Sequence, residues 1–326
     1  MSATLGPVLQ VEDLWTSFRT FEGRVRSVNG VSLSLRRGET LALVGESACG
    51  KSVTALSIMG LISSPGQIEK GRVLLEGHDL RTMSETELQS LRGVRIAMIF
   101  QNATAALDPM FTIGEQMVET YRFHAHASST EATTRAVSLL GHVQVSRPAD
   151  VMKQYPHEIS IGTAQRVMIA MALLCNPSVL IADEPTTNLD SISQSEMLAL
   201  LDDIRRETGL SVILITHDFG VVARVADQVA VMYAGKIVEQ ASLGDILKAP
   251  RHPYTAALMA SVPRSGSRGS RLFQISGQPP DAVRLPAGCA FAPRCPRVMD
   301  VCSGEPPIRH FQSDRYIRCF LEEGVQ

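Results

Sequence analysis

Four short stretches, apolar except for Thr40 and Arg95 at their first positions, dominate the hydrophobic pattern of this chain, at residues 40–44, 95–100, 179–182 and 212–215. Runs of this length without polar alternation are typical of parallel β-strands that are covered on both faces. Helical stretches lie between the runs and would supply the crossover connections. The pattern therefore predicts an α/β fold built on a parallel sheet.

The residues before the first run follow a different pattern. Val31, Leu33 and Leu35 alternate with polar residues, as in a half-buried strand, so residues 8–39 are predicted to form antiparallel strands. From residue 102 to 165 the pattern becomes helical. This change indicates a helical insertion into the α/β core.

Each apolar run is followed by a residue that can take part in chemistry. Gly45, Gln101, the pair Asp183-Glu184 and His217 follow the four runs in turn. Ligands of open α/β sheets bind beyond the carboxyl ends of the strands. We therefore expect a phosphate-binding loop, an amide, two carboxylates and an imidazole to contribute to one site.

The first run leads into a glycine-rich loop, Gly45-Glu46-Ser47-Ala48-Cys49-Gly50-Lys51-Ser52. Gly45 and Gly50 allow the backbone N–H groups to converge on a phosphate. Lys51 then reaches the β- and γ-phosphates, and the Ser52 hydroxyl binds Mg²⁺. An ordinary glycine-containing turn is the alternative. The strand before the loop and the helical pattern after it favour nucleotide binding.

The later strand ends supply the groups that phosphoryl transfer to water requires. Asp183 is predicted to bind Mg²⁺, directly or through water, and Glu184 to accept a proton from the attacking water. His217 is predicted to position this water and the γ-phosphate. The alternative for the acidic pair is a solvated helix N-terminus, where carboxylates are also favoured.

The composition narrows the class of protein. The chain has 31 basic and 33 acidic residues and a formal charge of −2, which gives no electrostatic case for a nucleic-acid partner. Residues 1–7 lack the cationic start and apolar core of a signal peptide. No apolar stretch reaches the roughly 18 residues that suggest a membrane span. We therefore expect a soluble, cytosolic chain of about two domains.

The motifs together resemble the ATPase subunit of ABC transporters, most closely that of the dipeptide/oligopeptide (and nickel) importers. The resemblance is carried by residues 45–52, Gln101, 155–160, 183–190 and 216–218, and residues 249–255 resemble the start of an extra C-terminal region of these importers. It implies a P-loop ABC-type ATPase core with an antiparallel β subdomain at residues 1–101 and 166–250, a helical signature subdomain at 102–165, and a small Cys-rich C-terminal domain at 251–326.

The resemblance also implies roles for single residues. Glu184 becomes the catalytic base, His217 the switch and Lys51 the phosphate ligand. Gln101 would sense Mg²⁺ and the membrane partner, and Asp190 would be the acid of the interface loop. The implied nucleotide-binding set is Gly45, Glu46, Ser47, Ala48, Cys49, Gly50, Lys51, Ser52, Val53, Gln101 and Asp183, with Phe18 as our hypothesis for the adenine-stacking aromatic and with Ser52, Gln101 and Asp183 as the Mg²⁺ ligands.

The partners follow from the same resemblance. It implies ATP and Mg²⁺, two transmembrane permease subunits, a second ATPase subunit and an extracytoplasmic substrate-binding protein. The altered signature described below favours a second, non-identical ATPase subunit over a second copy of this chain. The chain would lie peripherally on the cytoplasmic face of the inner or plasma membrane and hydrolyse ATP to drive import of short peptides. The sequence leaves open import of nickel or another small solute, a soluble ABC-type ATPase outside transport, and a non-catalytic regulator.

The signature motif of the family is altered in this chain. The usual Leu-Ser-Gly-Gly is replaced by Ile159-Ser160-Ile161-Gly162, and Ala164 stands where an Arg is usual. Ser160 can cap the following helix, whose N-terminus would face the partner subunit's ATP together with Gly162. Ile161 adds a branched side chain where the backbone normally approaches ATP. Our hypothesis is an asymmetric pair of ATP sites, the weak one using Ser160.

The cysteine of the phosphate loop is a second departure from the family pattern. In Cys49 the phosphate loop carries a thiol, which could be a redox switch or only a tolerated small side chain. Beyond a predicted flexible linker at residues 264–271, four further thiols lie at Cys289, Cys295, Cys302 and Cys319. Metal or cluster ligation is favoured over disulfides in a reducing compartment, and the wide spacing favours an iron–sulfur cluster over zinc. The family resemblance implies a [4Fe–4S] cluster; zinc and reduced structural thiols are the alternatives.

Overall fold

The computed structural model describes residues 6–187, 189–261, 273–311 and 315–321. The predicted linker at residues 264–271 lies outside these ranges. Contacts divide the chain into two compact units. We call residues 6–8, 36–39 and 82–215 the helical unit, and residues 9–35, 40–81 and those from 216 onward the phosphate-loop unit.

Strands and helices alternate along much of the chain. In chain order, the strands are β1 (Leu9–Thr20), β2 (Gly23–Leu35), β3 (Thr40–Val44), β4 (Gly66–Leu75), β5 (His78–Asp79), β6 (Ile96–Ile99), β7 (Val179–Asp183), β8 (Ser211–Thr216), β9 (Gln228–Tyr233), β10 (Lys236–Ser242), β11 (Ile308–His310) and β12 (Tyr316–Arg318). The α-helices are α1 (Lys51–Ile58), α2 (Glu85–Leu91), α3 (Ala103–Ala106), α4 (Ile113–Ala125), α5 (Ser129–His142), α6 (Pro148–Val151), α7 (Ile161–Ala172), α8 (Ser191–Thr208), α9 (Phe219–Val225), α10 (Leu243–Lys248) and α11 (Pro253–Ala260).

The helical unit contains three of the predicted buried strands. β6 pairs with β7 and β7 with β8, both in parallel, and every residue of the three strands is buried. This confirms that the continuous apolar runs are parallel strands covered on both faces. Helices α3 to α7 occupy most of residues 103–172, in agreement with the helical pattern predicted for residues 102–165, although α7 continues to Ala172, beyond the predicted end.

Short polar side chains start the long helices of this unit. Thr112 and Glu115 form a capping box at the start of α4, and Ser128 accepts a hydrogen bond from the Glu131 N–H at the start of α5. Asp190 begins α8 in the same way. Each cap satisfies N–H groups that have no partner within the first helical turn.

The phosphate-loop unit contains an antiparallel sheet in the order β2-β1-β4-β5. Val31, Leu33 and Leu35 on β2 are buried, which confirms the predicted half-buried antiparallel strands. A second run of strands in this unit has the order β11-β12-β10-β9-β3, in which only the β3–β9 pair is parallel.

Strands β9 to β12 were not predicted from the sequence. Within the second run of strands, β12 pairs with β10, where Ile317 lies opposite Glu239 and Tyr316 opposite Gln240. The cysteine-containing residues after 250 therefore pack within the phosphate-loop unit. A separate Cys-rich C-terminal domain is not supported by this arrangement. Among the described residues, no helix is both long and apolar enough to cross a bilayer.

A buried ion pair fastens the C-terminal residues to β10. Glu239 is 0% exposed, and its carboxylate accepts hydrogen bonds from the N–H groups of Arg251 and His252, at 2.9 and 2.8 Å. Arg315 completes the set, with its Nη2 atom 3.0 Å from Glu239 Oε1 and 2.6 Å from the Ala249 carbonyl oxygen. A carboxylate at this depth is stable only because its charge is balanced and its oxygens accept hydrogen bonds.

The substitution Arg315→Met should lower the free energy of unfolding of the full chain by about 3–5 kcal/mol, since it leaves a buried carboxylate without its counter-charge. Urea denaturation followed by circular dichroism measures this loss. The double variant Arg315→Met/Glu239→Gln should be more stable than Arg315→Met. The matched control is Arg24→Met, which removes a half-exposed ion pair with Glu69 and should cost less than about 1 kcal/mol. Equal losses for Arg315→Met and Arg24→Met would contradict the role of the buried pair.

Candidate nucleotide site

The phosphate loop follows β3, whose five residues are all buried. A Cβ atom on Gly45 would lie 2.2 Å from the Met232 carbonyl oxygen, and one on Gly50 would lie 2.2 Å from that of Ser27. Gly50 also has a φ angle of 109°, which disfavours any residue with a side chain. The structure therefore requires glycine at both positions where backbone freedom was predicted from the sequence.

Lys51 is the first residue of α1 and is only 6% exposed. Its Nζ atom donates hydrogen bonds to the carbonyl oxygens of Gly45, at 2.9 Å, and Glu46, at 3.0 Å. These bonds hold the ammonium group over the loop, where backbone N–H groups and a positive charge suit an anion. Ser52 and Val53 follow on the same helix.

Cys49 is buried in the loop, with its Sγ atom 3.8 Å from Lys51 Nζ. Burial raises the pKa of this thiol, and the nearby ammonium group only partly opposes the shift. A raised pKa disfavours the reactive thiolate. The structure therefore favours a tolerated small side chain over the redox switch that a helix N-terminus suggested.

In the helical unit, Gln101 and Glu184 are brought together. Gln101 Nε2 donates a hydrogen bond of 2.8 Å to Glu184 Oε2, and the Thr187 hydroxyl donates one of 3.0 Å to the same oxygen. Glu184 has a φ angle of 48°, an uncommon backbone conformation for a residue with a side chain. Asp183 precedes it as the last, buried residue of β7. The two carboxylates therefore stand in different environments, one buried and one fixed by two donors.

The signature motif starts helix α7. The Ser160 hydroxyl accepts a hydrogen bond of 3.1 Å from the Thr163 N–H, which confirms its predicted role as helix cap. Ile161 is the first helical residue and is 54% exposed, whereas Ala164 is buried. Gly162 is half-buried, and a Cβ atom there would meet only Leu189 Cδ2, at 3.9 Å. The branched side chain of Ile161 thus projects from the helix start.

The other predicted residues occupy separate places. Asp190 caps α8 by accepting hydrogen bonds from the N–H groups of Ile192 and Ser193, and the bonds from Ser193 lower its pKa. His217 comes directly after the last residue of β8, belongs to the phosphate-loop unit and is exposed. The half-buried ring of Phe18 lies against the Gly66 backbone, at which a Cβ atom would be 2.5 Å from Phe18 Cε1. Stacking of Phe18 on adenine stays a prediction.

The four C-terminal cysteines line one small cavity in the phosphate-loop unit, bordered also by His252, Phe291 and Phe320. None of the four is in a disulfide, and the Cys289 N–H donates a hydrogen bond of 2.9 Å to the Cys302 carbonyl oxygen. Cysteine thiols are the ligands that iron–sulfur clusters take, so the donor set fits such a group chemically. Among the described residues, however, no group of three or more His, Cys, Asp or Glu side chains is placed to hold a metal ion, so the predicted cluster is not supported by the structure.

Three residues that contact predicted site residues were not themselves predicted to do so. Thr187 binds the Glu184 carboxylate, Tyr254 accepts a hydrogen bond of 2.9 Å from the Glu46 N–H, and Arg294 forms an ion pair with Glu46. Thr187 lies within the motif at residues 183–190, so its position was a usable signal. Tyr254 and Arg294 lie more than 200 residues from the loop along the chain, and no local pattern connects them to it.

The Mg²⁺ ligands were predicted from residue type and motif. Ser52, Gln101 and Asp183 offer a hydroxyl, an amide oxygen and a carboxylate, which are the hard oxygen donors that Mg²⁺ prefers. Gln101 lies two residues after the end of β6, and Asp183 is the last residue of β7. The two strands are parallel neighbours, in which Ile99 is paired with Ala182. The donor chemistry therefore fits the ion.

The sequence matches the ABC transporter family model over residues 28–187 and the model of the oligopeptide/dipeptide transporter C-terminal region over residues 238–302. It is 48% identical over 318 residues to the dipeptide transport ATP-binding protein DppD of Bacillus subtilis, covering 97% of this chain and 95% of that protein. It is 45% identical over 313 residues to the oligopeptide transport ATP-binding protein OppD of Salmonella typhimurium, covering 96% of this chain and 93% of that protein.

Solved structures agree with the sequence matches. The dimeric post-hydrolysis structure of the ATP-binding cassette MJ0796 bound to ADP and Pi has a TM-score of 0.65 and 25% identity, covering 72% of this chain and 98% of that chain. CbiO1 of Clostridium perfringens, part of an ABC transporter complex, has a TM-score of 0.62 and 26% identity. The match covers 74% of this chain and 91% of that chain. These likenesses confirm the ABC ATPase cassette fold with its antiparallel β subdomain. The chain therefore belongs to the ABC transporter ATPases, in the group that carries the oligopeptide/dipeptide transporter C-terminal region.

Proposed function

We propose that this chain is the ATP-hydrolysing subunit of an ABC importer for short peptides. The observation that carries the proposal is the complete phosphate loop, with Lys51 held over it, in a chain 48% identical to a dipeptide transport ATP-binding protein. Peptides are the substrate class because the relatives of the chain are peptide transport proteins. The roles of single residues and the division at residues 101, 165 and 250 stay predictions.

The proposed mechanism assigns one task to each side chain. Lys51 neutralises charge on the β- and γ-phosphates, and Ser52, Gln101 and Asp183 would hold Mg²⁺, which supplies further charge neutralisation. Glu184 accepts the proton of the attacking water, and His217 positions the γ-phosphate. The two hydrogen bonds to Glu184 from Gln101 and Thr187 support this role, because they fix the orientation of the carboxylate.

The proposed partners are two permease subunits, a second, non-identical ATPase subunit and an extracytoplasmic peptide-binding protein. The chain would work at the cytoplasmic face of the membrane as a peripheral subunit. The altered signature supports a non-identical ATPase partner, since Ile161 projects from the start of α7, where the partner's ATP would bind. An intact signature on the partner would keep the site that uses Lys51 and Glu184 active.

In the complex purified through the tagged chain from detergent-solubilised membranes, Glu184→Gln should lower ATP turnover at least about 100-fold, because it removes the general base. ATP binding should persist in this variant and be lost in Lys51→Ala. Phosphate release and peptide uptake by reconstituted vesicles measure the effect. Glu119→Gln, an exposed change on α4, is the matched control and should keep full turnover. Recovery of soluble proteins only, or full turnover by Glu184→Gln, would overturn the proposal.

The asymmetry of the two ATP sites has its own test. A single turnover of the wild-type complex should release about one phosphate per ATPase pair, because only the site that uses the partner's signature is competent. Ile161→Gly removes the projecting side chain and should raise this yield toward two. Rapid-quench phosphate counting measures the yield, with Ile192→Gly on α8, also an exposed isoleucine, as control. A wild-type yield of two phosphates from equivalent sites would contradict the asymmetry.

We further propose that Cys289, Cys295, Cys302 and Cys319 form the Cys-rich site of the C-terminal residues and hold a [4Fe–4S] cluster with a stabilising or docking role. Four thiols around one cavity support this assignment, because cysteine thiolates are the ligands of iron–sulfur clusters. Zinc is the competing metal.

Anaerobically purified chain should contain about four iron atoms and matching acid-labile sulfide per chain. Cys302→Ser should lose most of this iron, because it removes one of four ligands. Cys175→Ser, a half-buried cysteine of the helical unit, is the matched control and should keep it. Elemental analysis and the visible absorption spectrum measure cluster content. One zinc per chain, or no bound metal in freshly purified protein, would overturn the assignment.

A further inference from the structure

An ion pair connects the phosphate loop to the cysteine-containing residues. Arg294 Nη1 lies 2.7 Å from Glu46 Oε2, and Arg294 Nη2 lies 3.0 Å from Glu46 Oε1. Two parallel N–H···O bonds of this kind form a bidentate pair, the strongest geometry for a guanidinium and a carboxylate. The Arg294 side chain is 4% exposed and that of Glu46 is 24% exposed, so water screens the pair little.

The surroundings fix the guanidinium in place. Arg294 also donates hydrogen bonds to the Tyr233 hydroxyl, at 3.2 Å, and to the Ser276 carbonyl oxygen, at 2.9 Å. Phe291, three residues earlier, packs edge-on against the rings of Tyr233 and Tyr254, with centroid distances of 5.3 and 5.4 Å. The turn between Cys289 and Cys295 thus presents a cation to Glu46 of the loop and an aromatic ring to Tyr233 and Tyr254.

Glu46 is the residue through which this turn acts on the loop. Its carbonyl oxygen accepts a hydrogen bond from Lys51 Nζ, and its N–H donates to the Tyr254 hydroxyl. Its side chain accepts both bonds from Arg294. All three polar groups of Glu46 are therefore engaged, and one of them orients the ammonium group that meets the phosphates.

Charge gives the pair a second consequence. A carboxylate beside a phosphate-binding loop repels the negatively charged phosphates of ATP unless a cation balances it. Glu46 raises the pKa of the Arg294 guanidinium, so this cation is always charged. Arg294 is the cation that forms the bidentate pair with Glu46.

We propose that Arg294 is a positioning residue for ATP binding, which neutralises Glu46 and holds the phosphate loop from the cysteine-containing turn. The C-terminal residues then contribute directly to nucleotide affinity in addition to their own site. This inference rests on the proposed function, since it assumes that the phosphate loop binds ATP. Neutralisation can be distinguished from a purely structural tether. If Arg294 neutralises Glu46, removing the charge of Glu46 should restore ATP binding that is lost without Arg294, whereas a tether predicts no such rescue.

The test compares ATP affinity of purified full-length variants, using a fluorescent ATP analogue and competition with unlabelled ATP and AMP. Arg294→Ala should weaken ATP binding about tenfold or more, as expected when a charge-assisted pair is broken and the remaining carboxylate is left uncompensated. The loss should be smaller for AMP, which carries less charge. Arg294→Lys should give an intermediate loss, because it keeps the charge without the bidentate geometry.

The double variant Arg294→Ala/Glu46→Gln decides between the two roles. Neutralisation predicts that it binds ATP more tightly than Arg294→Ala, within about threefold of wild type, whereas a tether predicts no recovery. Arg284→Ala, an exposed arginine of the same C-terminal residues, is the matched control and should bind ATP as wild type does. Thermal unfolding of each variant checks folding. If Arg294→Ala is unfolded, Arg294→Gln and Arg294→Gln/Glu46→Gln, which remove the charge but keep a long polar side chain, supply the same comparison.

The possible failures are distinct. Absence of ATP binding by the wild-type chain, or binding that Lys51→Ala leaves unchanged, would overturn the proposed function itself. Normal wild-type binding together with unchanged affinity in Arg294→Ala would overturn only the positioning role. A double variant no better than Arg294→Ala, or equal losses for ATP and AMP, would overturn neutralisation in the same way.

Discussion

The phosphate loop keeps its shape because backbone atoms of neighbouring strands press against its two glycines. The carbonyl oxygens of Met232 and Ser27 leave no room for a side chain at Gly45 or Gly50. The Cys49 carbonyl oxygen also accepts a hydrogen bond from the Gly235 N–H. With its backbone fixed in this way, the loop can direct N–H groups at a phosphate without first paying the entropy of ordering them. Lys51 is then held by carbonyl oxygens of the loop itself, those of Gly45 and Glu46.

Polar groups at the loop and at Glu184 are stabilised in different ways. Glu184 accepts hydrogen bonds from the Gln101 amide and the Thr187 hydroxyl, which orient the carboxylate. Glu46 is instead bound by a guanidinium, which cancels its charge. A base must keep its negative charge to accept a proton, while a carboxylate beside bound phosphates must be balanced. Under the proposed function, the two hydrogen bonds would orient Glu184 as the base, and the guanidinium would balance Glu46 beside the phosphates.

Within the phosphate-loop unit, two buried arginines of the C-terminal residues bind carboxylates that lie earlier in the chain. Arg315 binds Glu239 on β10, and Arg294 binds Glu46 in the loop. Phe291 adds apolar contact with Tyr233 and Tyr254 between these charged pairs. The cysteine-containing turn is therefore part of the same packed core as the phosphate loop, and a change in its shape would be felt at Glu46.

The sequence by itself determined the elements whose cause is local. Continuous apolar runs identified β3, β6, β7 and β8, because a strand covered on both faces has no polar alternation, and the glycine-rich motif located the phosphate loop. Residues 229–233 form a run of the same kind and could have identified β9. The tertiary structure alone decided that β12, three residues long, is a strand, because its hydrogen bonds come from β10. It alone placed Arg294 on Glu46, since contacts between residues 248 positions apart depend on how the chain packs and leave no local pattern.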